Sequence, residues 1–195
     1  SPLNGPAWSL LYEYIANILY ALVIRRFPKF VLGLFVAGAA VLTLDLTLNL
    51  DLFGLLSADR SAAYTVIGGW SVTPEQIYIG FSRLLYPFFA GLLLSRLGAA
   101  IRVRGGFWWC SLLIAAALVM PHVGSVSTPW IDGGYQALVI LFVFPLIVSM
   151  GAGSRVAGAR SVAVCTFLGE ISFPLYITHY PLCLLYTSPS PRDTR

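Results

Sequence analysis

The sequence has 195 residues, of which 58% are hydrophobic and only 10% are charged, and its mean hydropathy is +0.82. A soluble domain carries about a quarter charged residues, so this composition excludes a water-soluble globular protein and predicts an integral membrane protein in a lipid bilayer. The formal net charge of +4 is concentrated in short loops between apolar segments, which argues against a nucleic-acid partner.

Five apolar segments and the beginning of a sixth follow one another along the chain. They cover residues 8–24, 30–44, 77–97, 107–120 and 135–150, and the sixth begins between residues 162 and 171. Each approaches the ~20 residues that a helix needs to cross a bilayer. The sequence therefore predicts an all-α fold, a polytopic transmembrane bundle of about six helices with the last one truncated.

The loops between these segments alternate in charge. The basic loops carry Arg25, Arg26, Lys29, Arg96, Arg102, Arg104, Arg155 and Arg160, and the others carry Asp45, Asp51, Asp59, Glu75 and Asp132 with one arginine, Arg60. Because Lys and Arg accumulate in cytoplasmic loops, the basic loops are predicted to lie inside and the acidic loops outside. The first, third and fifth helices then run from the outer to the inner side.

The three cysteines, Cys110, Cys165 and Cys183, show neither metal-ligand nor disulfide spacing. We interpret them as small packing residues and predict no metal site.

The last residues, "CLLYTSPSPRDTR", change abruptly from an apolar helix to Ser, Pro and charge. The string reads, residue for residue, as the translation of a transposase-type sequencing adapter. We therefore expect residues 1–182 to form part of a transmembrane domain, and residues 183–195 to be an artefact without ordered structure. On this interpretation the natural protein continues beyond residue 182.

The first apolar segment contains a carboxylate, Glu13. Ser9, Asn17 and Tyr20 recur with it at helical spacing and predict a narrow polar stripe that faces the bundle interior or a watery cavity. An ionisable group in hydrocarbon is costly and indicates a functional site by default. Just before the stripe, Asn4 could cap the helix and Trp8 could anchor it at the interface.

The third segment contains the corresponding cation, Arg83. Counted from the outer ends of their helices, Glu13 and Arg83 both lie roughly 8–9 Å deep, so the two charges are predicted to meet. A purely structural ion pair remains an alternative, although buried pairs contribute little stability because desolvation offsets much of the Coulomb attraction.

The sixth segment carries a second polar stripe. Ser172, Tyr176 and His179 recur at i, i+4 and i+7. In an uninterrupted helix beginning near residue 162, His179 would lie about 25 Å from the inner face, close to the depth of Glu13 and Arg83. A packing role for His179 and a place in the site are both open at this point.

Three stretches together resemble the membrane acyltransferase-3 family, bacterial multi-spanning enzymes that O-acylate glycans and related acceptors. "NGPAWSLLYEYIANILYAL" is similar to the family's N-x-P-x-W-S-L-x-x-E signature, and "RLLYPFFAGLLLSRL" to its Arg, Pro-Phe-Phe, Gly helix. "LGEISFPLYITHYPL" is similar to its LG-x-I-S-Y-P-L-Y-L-x-H-x-P segment, with Phe173 where Tyr is usual. The matches occur in family order between residues 4 and 182.

The resemblance implies an enzyme that moves an acyl group, such as acetyl, from cytosolic acyl-CoA to a hydroxyl of a glycan-type cell-envelope acceptor. It implies a multi-pass protein of the bacterial inner membrane that needs no metal. Its motif positions here are Trp8, Ser9, Glu13, Arg83, Tyr176 and His179. The family's catalytic histidine is expected in a helix upstream of Ser1, so His179 is not that residue and these 195 residues alone are expected to be inactive.

Two other functions are compatible with intramembrane Glu, Arg and His. A polytopic transporter or flippase would use them as a substrate or proton relay. A non-catalytic scaffold or sensor would use the charges only for packing. Acyl transfer from a labelled donor distinguishes the enzyme from both, and substrate flux into vesicles distinguishes the transporter from the scaffold.

Overall fold

A computed structural model describes residues 7–57, 60, 62–119, 128–156 and 158–187, with the side chains of residues 7, 159, 177 and 179–187 left aside. These residues form six helices and no strand: α1 Ala7–Leu22, α2 Lys29–Leu48, α3 Pro74–Leu97, α4 Gly106–Val119, α5 Trp130–Gly153 and α6 Ala159–Thr187. The predicted all-α membrane bundle is confirmed. The division of the chain at residue 183 stays a prediction, and residues 188–195 lie outside the described part.

Within this part, three helices, α2, α3 and α5, are long and apolar enough to cross a membrane, and α4 is a shorter apolar helix. That α1, α4 and α6 also cross the membrane stays a prediction. The predicted end of the second segment at residue 44 is too early, because α2 continues for a further turn and includes Asp45. The fifth helix also begins five residues before its predicted start at residue 135.

The core forms where α2 packs against α3 and α5. Leu32 on α2 and Tyr86 and Phe89 on α3 are buried in one apolar cluster. The ring of Phe35 stacks on that of Phe89 with a centroid distance of 4.9 Å. These residues follow helical spacing on each helix, so one face of α2 meets one face of α3.

α3 has sequence signals at both ends. Thr73 is the N-cap and accepts a hydrogen bond from the backbone N–H of Gln76, and Pro74 occupies the first helical position. At the other end Gly98 adopts a left-handed conformation with φ of +65°. The helix therefore runs without a break between the predicted outer and inner sides.

The middle of α5 widens into a π-helical turn over Val139–Val143. In an α-helix the carbonyl of Leu141 would accept a hydrogen bond from residue 145, but Pro145 has no N–H. The Tyr86 hydroxyl on α3 donates to this carbonyl over 2.6 Å. A side chain of one helix thus pairs a backbone group that a proline leaves free in its neighbour.

Replacing Tyr86 with phenylalanine is expected to lower the free energy of unfolding by about 1–2 kcal/mol, because the partly buried Leu141 carbonyl loses its hydrogen-bond partner. Thermal unfolding in detergent measures the change. Tyr20→Phe on an exposed face of α1 is the control and should leave the unfolding temperature unchanged. Equal stability of both variants would contradict the role of Tyr86.

Gly133 allows α5 to approach α2. A Cβ atom built on Gly133 would lie 2.0 Å from the backbone oxygen of Thr47, whereas one built on Gly134 would have no atom within 4 Å. The close approach of the two helices therefore requires glycine at 133 and not at 134.

Gly133→Ala is expected to lower the free energy of unfolding by about 1–3 kcal/mol, because the added methyl group forces α5 away from α2. Gly134→Ala is the matched control, and it should leave stability unchanged or raise it by up to about 1 kcal/mol through helix propensity. Unfolding of both variants in the same detergent provides the measurement. A Gly133→Ala protein as stable as Gly134→Ala would show that the helices can separate at no cost.

At the predicted inner end, Arg96 joins α3 to the turn that follows α1. Its guanidinium donates to the backbone oxygens of Phe27, Ile24 and Arg25, the last over 2.7 Å. This arginine, interpreted from the sequence as a topology signal, also supplies donors to backbone carbonyls of the turn where α1 has ended.

Candidate active site

The motif residues of α1 and α3 lie near the predicted outer ends of these helices. The side chain of Tyr12 is only 6% exposed and covers Gly80 on α3, where a Cβ atom would lie 2.2 Å from the tyrosine ring. The same ring contacts Phe81 edge-to-face, with a centroid distance of 5.2 Å. The glycine therefore determines how closely α1 packs on α3, and Tyr12 is a contact residue that the sequence pattern missed.

Arg83 binds a backbone oxygen instead of the predicted carboxylate. Its Nη1 donates to the carbonyl oxygen of Gly68 over 2.6 Å. Gly68 and Gly69, with φ of +139° and +87°, form a tight turn at the outer end of α3. Gln76 holds the same turn, because its Oε1 accepts from the N–H groups of Gly69 and Trp70 over 2.7 and 3.2 Å.

The predicted ion pair between Glu13 and Arg83 is therefore wrong for the described residues. The side chain of Glu13 is exposed, and its backbone oxygen accepts a hydrogen bond from the Asn17 side chain over 2.9 Å. The physical reason is that α1 meets α3 through Tyr12, and that Tyr12 and Ala16, the buried residues of α1, lie beside the polar stripe. Glu13 and Asn17 consequently lie on the exposed side of the described bundle.

The structure brings together two motif hydroxyls from distant parts of the chain. Ser9 Oγ and the Tyr176 hydroxyl form a hydrogen bond between α1 and α6. Trp8 is partly buried next to Ser9. Ser172 is not part of this contact, because its hydroxyl donates to the carbonyl of Gly169 in its own helix over 2.7 Å.

Two further predicted site residues cannot be placed. Asn4 lies outside the described residues, and so does the side chain of His179. The cap predicted for Asn4 and the stripe position predicted for His179 therefore stay predictions.

The predicted position of Asp45 in an outer loop is wrong. Asp45 lies inside α2 and is 1% exposed. Its Oδ1 accepts from the backbone N–H of Leu52 over 2.8 Å, and its Oδ2 accepts from the Tyr78 hydroxyl on α3. The available signal was the run of leucines that continues on both sides of Asp45, which predicts that the helix does not end at residue 44.

The segment between α2 and α3 is folded onto the outer ends of α2, α3 and α5. Arg60 donates to the backbone oxygens of Thr65 and Ile67 over 2.6 and 3.3 Å. Burial lowers the pKa of Arg60, and the negative charge of Glu75 opposes that shift. Gln136 on α5 accepts from the N–H of Val66 over 3.1 Å. The described residues of this predicted outer loop therefore form an ordered cover over these helix ends.

A pocket of about 270 Å³ lies at the opposite, inner ends of α3 and α5. Small residues line much of it, including Gly91, Ser95, Gly98, Ser149 and Ala152. The connection after α3 closes against α5, because the N–H of Ile101 donates to the Ser149 oxygen over 2.9 Å. Arg102 and Arg104 follow in this connection and are predicted to face the cytoplasm.

One comparison with known proteins identifies the family. The sequence model of a family described as an acyltransferase domain, acyltransferase-3, matches residues 1–193. The chain belongs to the acyltransferase-3 family. Neither the search of curated proteins nor the search of solved structures found a match.

In this acyltransferase-3 chain, Arg83 binds the turn at Gly68, Ser9 and Tyr176 join α1 to α6, and the Glu13 carboxylate is exposed. The described residues contain no group of three or more His, Cys, Asp or Glu side chains that could hold a metal ion. Among the described residues, the candidate site offers hydroxyls, a carboxylate and a guanidinium.

Proposed function

We propose that this acyltransferase-3 protein transfers an acyl group, such as acetyl, from cytosolic acyl-CoA to a hydroxyl of a glycan-type acceptor at the outer face of a bacterial inner membrane. The observation that carries the proposal is the match of the acyltransferase domain to residues 1–193. The arrangement of charged and polar groups at the two ends of α3 supports it.

At the outer end, the acceptor would meet groups that the fold leaves available. Arg83 uses Nη1 on the Gly68 oxygen, and its remaining N–H groups have no hydrogen-bond partner among the described residues. The Glu13 carboxylate likewise has no ion pair there. A guanidinium can bind anionic oxygens of donor or acceptor, and a carboxylate can orient a hydroxyl by accepting its proton in a hydrogen bond.

At the inner end, the pocket between α3 and α5 would receive part of the donor. Its small lining residues leave room for an acyl or pantetheine segment, and the arginines of the neighbouring connection would attract the phosphates of CoA. Arg83 and Gly98 are about 15 residues apart on one helix, so roughly 22 Å separate the two ends of the proposed path.

The reaction requires a base and a leaving group. The acceptor oxygen forms a bond to the thioester carbonyl carbon, the carbon–sulfur bond breaks, and CoA leaves as the thiol after taking up a proton. We assign the base that removes the acceptor proton to the histidine helix that the family resemblance places before Ser1. On this proposal the 195 residues alone do not catalyse the transfer.

The direct test uses the chain extended by the N-terminal helices that the resemblance predicts, reconstituted in vesicles. Radiolabelled acetyl-CoA is supplied on the side of the basic loops, and labelled ester is measured on glycans supplied on the other side. Labelled glycan supports the proposal. Glycan or CoA flux without ester formation would favour the transporter instead. The absence of both ester formation and flux would favour the non-catalytic scaffold.

Glu13→Gln in the extended protein is expected to lower kcat/KM for the acceptor by about 10-fold, because the amide keeps the shape and removes the negative charge. Asn17→Ala, one turn further along the same exposed face, is the control and should retain most of the activity. Steady-state kinetics with varied acceptor provides the measurement. Normal kinetics of Glu13→Gln would exclude a role for this carboxylate in the reaction.

A further inference from the structure

The segment directly after α2 exposes a compact apolar surface. Residues 50–55, here called the apolar turn, carry Leu50, Leu52, Phe53 and Leu55, which are exposed by 53%, 59%, 56% and 40%. The only ionisable side chain among these six residues is that of Asp51. A contiguous group of large exposed apolar side chains indicates a surface with an apolar partner.

Two aspartates pair several backbone N–H groups in and next to the apolar turn, although the segment is not helical. Asp45 accepts twice, through its backbone oxygen from the N–H of Leu50 and through Oδ1 from that of Leu52. Asp51 also accepts twice, through its backbone oxygen from the N–H of Gly54 and through Oδ1 from the N–H of Leu56. Irregular backbone is tolerated near hydrocarbon only where its polar groups have such partners.

The turn is also fixed in position on the bundle. The Phe53 ring lies 6.0 Å from the Tyr78 ring, and Leu56 is buried against Leu46 and Ile79. Asp51 adopts a φ of +52°, which a residue with a side chain rarely does without support from its surroundings. The exposed apolar side chains are therefore held outward by the fold.

We propose that the apolar turn inserts into the outer leaflet of the bilayer. The apolar turn begins two residues after the end of α2, a helix that is long and apolar enough to span the membrane. The exposed apolar surface of the turn therefore continues the lipid-facing surface of α2. Six residues are too few to bury the roughly 1,200 Å² that a stable protein interface needs, which favours lipid over a second copy. Asp45 and Asp51 then supply part of the hydrogen bonds that water supplies to ordinary loops.

The test measures lipid contact directly and does not depend on catalysis. A cysteine is introduced by Phe53→Cys in a background with Cys110→Ser, Cys165→Ser and Cys183→Ser, and it is labelled with an environment-sensitive fluorophore. The protein is reconstituted in vesicles of phosphatidylethanolamine and phosphatidylglycerol with brominated acyl chains. Ser57→Cys is the matched control, because Ser57 is exposed close by but hydrogen-bonds Glu75 over 2.8 Å.

Brominated lipid is expected to quench the label at position 53 about twofold or more, with much weaker quenching at position 57. Leu52→Cys provides a second position in the turn if Phe53→Cys does not fold. Equal quenching at 53 and 57, or quenching at 53 by aqueous iodide, would overturn the proposal. A label at 53 protected from both quenchers would also overturn it, because another protein surface would then cover the turn.

Discussion

Arg83→Ala in the extended protein is expected to lower the rate of acyl transfer by about 100-fold while the protein remains folded. The guanidinium has two tasks in the structure. It holds the Gly68 turn through one hydrogen bond, and it places a positive charge with further N–H donors beside Tyr12 near the outer end of α3. Loss of the charge in a site of low dielectric removes the stabilisation of developing negative charge on the reacting oxygen.

A matched variant separates the two tasks of Arg83. Gln76 holds the same turn through Gly69 and Trp70 without contributing charge. If the guanidinium acts on the reaction, Gln76→Ala should retain far more activity than Arg83→Ala, and Arg83→Lys should be intermediate because it keeps the charge without the planar fork. Equal losses in Arg83→Ala and Gln76→Ala would reduce Arg83 to a support for the turn. Near-normal turnover of Arg83→Ala would exclude it from the site.

Asp45→Ala is expected to lower the free energy of unfolding by about 3 kcal/mol, the largest stability effect that the described residues predict. The carboxylate is buried, and its removal leaves the N–H of Leu52 and the hydroxyl of Tyr78 without their acceptor. Asp45→Asn keeps one acceptor oxygen and should lower the free energy of unfolding by less than Asp45→Ala does. Thermal and chemical unfolding in detergent measure the series.

Two comparisons test the cause of the Asp45 effect. Tyr78→Phe removes only the hydroxyl, and a double-mutant cycle with Asp45→Asn should show coupling between the two side chains. Asp51→Ala removes an exposed carboxylate that also accepts a hydrogen bond from a backbone N–H. It should lower the free energy of unfolding clearly less than Asp45→Ala. Equal costs for the two aspartates, or an Asp45→Ala protein with wild-type stability, would contradict the buried network.

Some of the polar side chains that join helices and loops could be anticipated from residue patterns, because the patterns are local. Arg83 interrupts an apolar helix, and the hydroxyls of Ser9 and Tyr176 recur within polar stripes; the structure places all three in contacts between elements. Asp45 was missed because a helix end was assigned from hydropathy alone, and a carboxylate lowers hydropathy whether it lies in a loop or is buried with two donors.

The sequence by itself determined that this protein is an apolar all-α bundle of the acyltransferase-3 family, since composition, segment length and motif spacing are properties of neighbouring residues. Only the tertiary structure decided which groups form hydrogen bonds with one another. Arg83 binds the carbonyl of Gly68 in place of Glu13, and the Leu141 carbonyl is paired by Tyr86. A backbone carbonyl has no residue-specific signature, and whether it is available depends on the path of a loop or a proline in another element, so no side-chain pattern could predict these pairs.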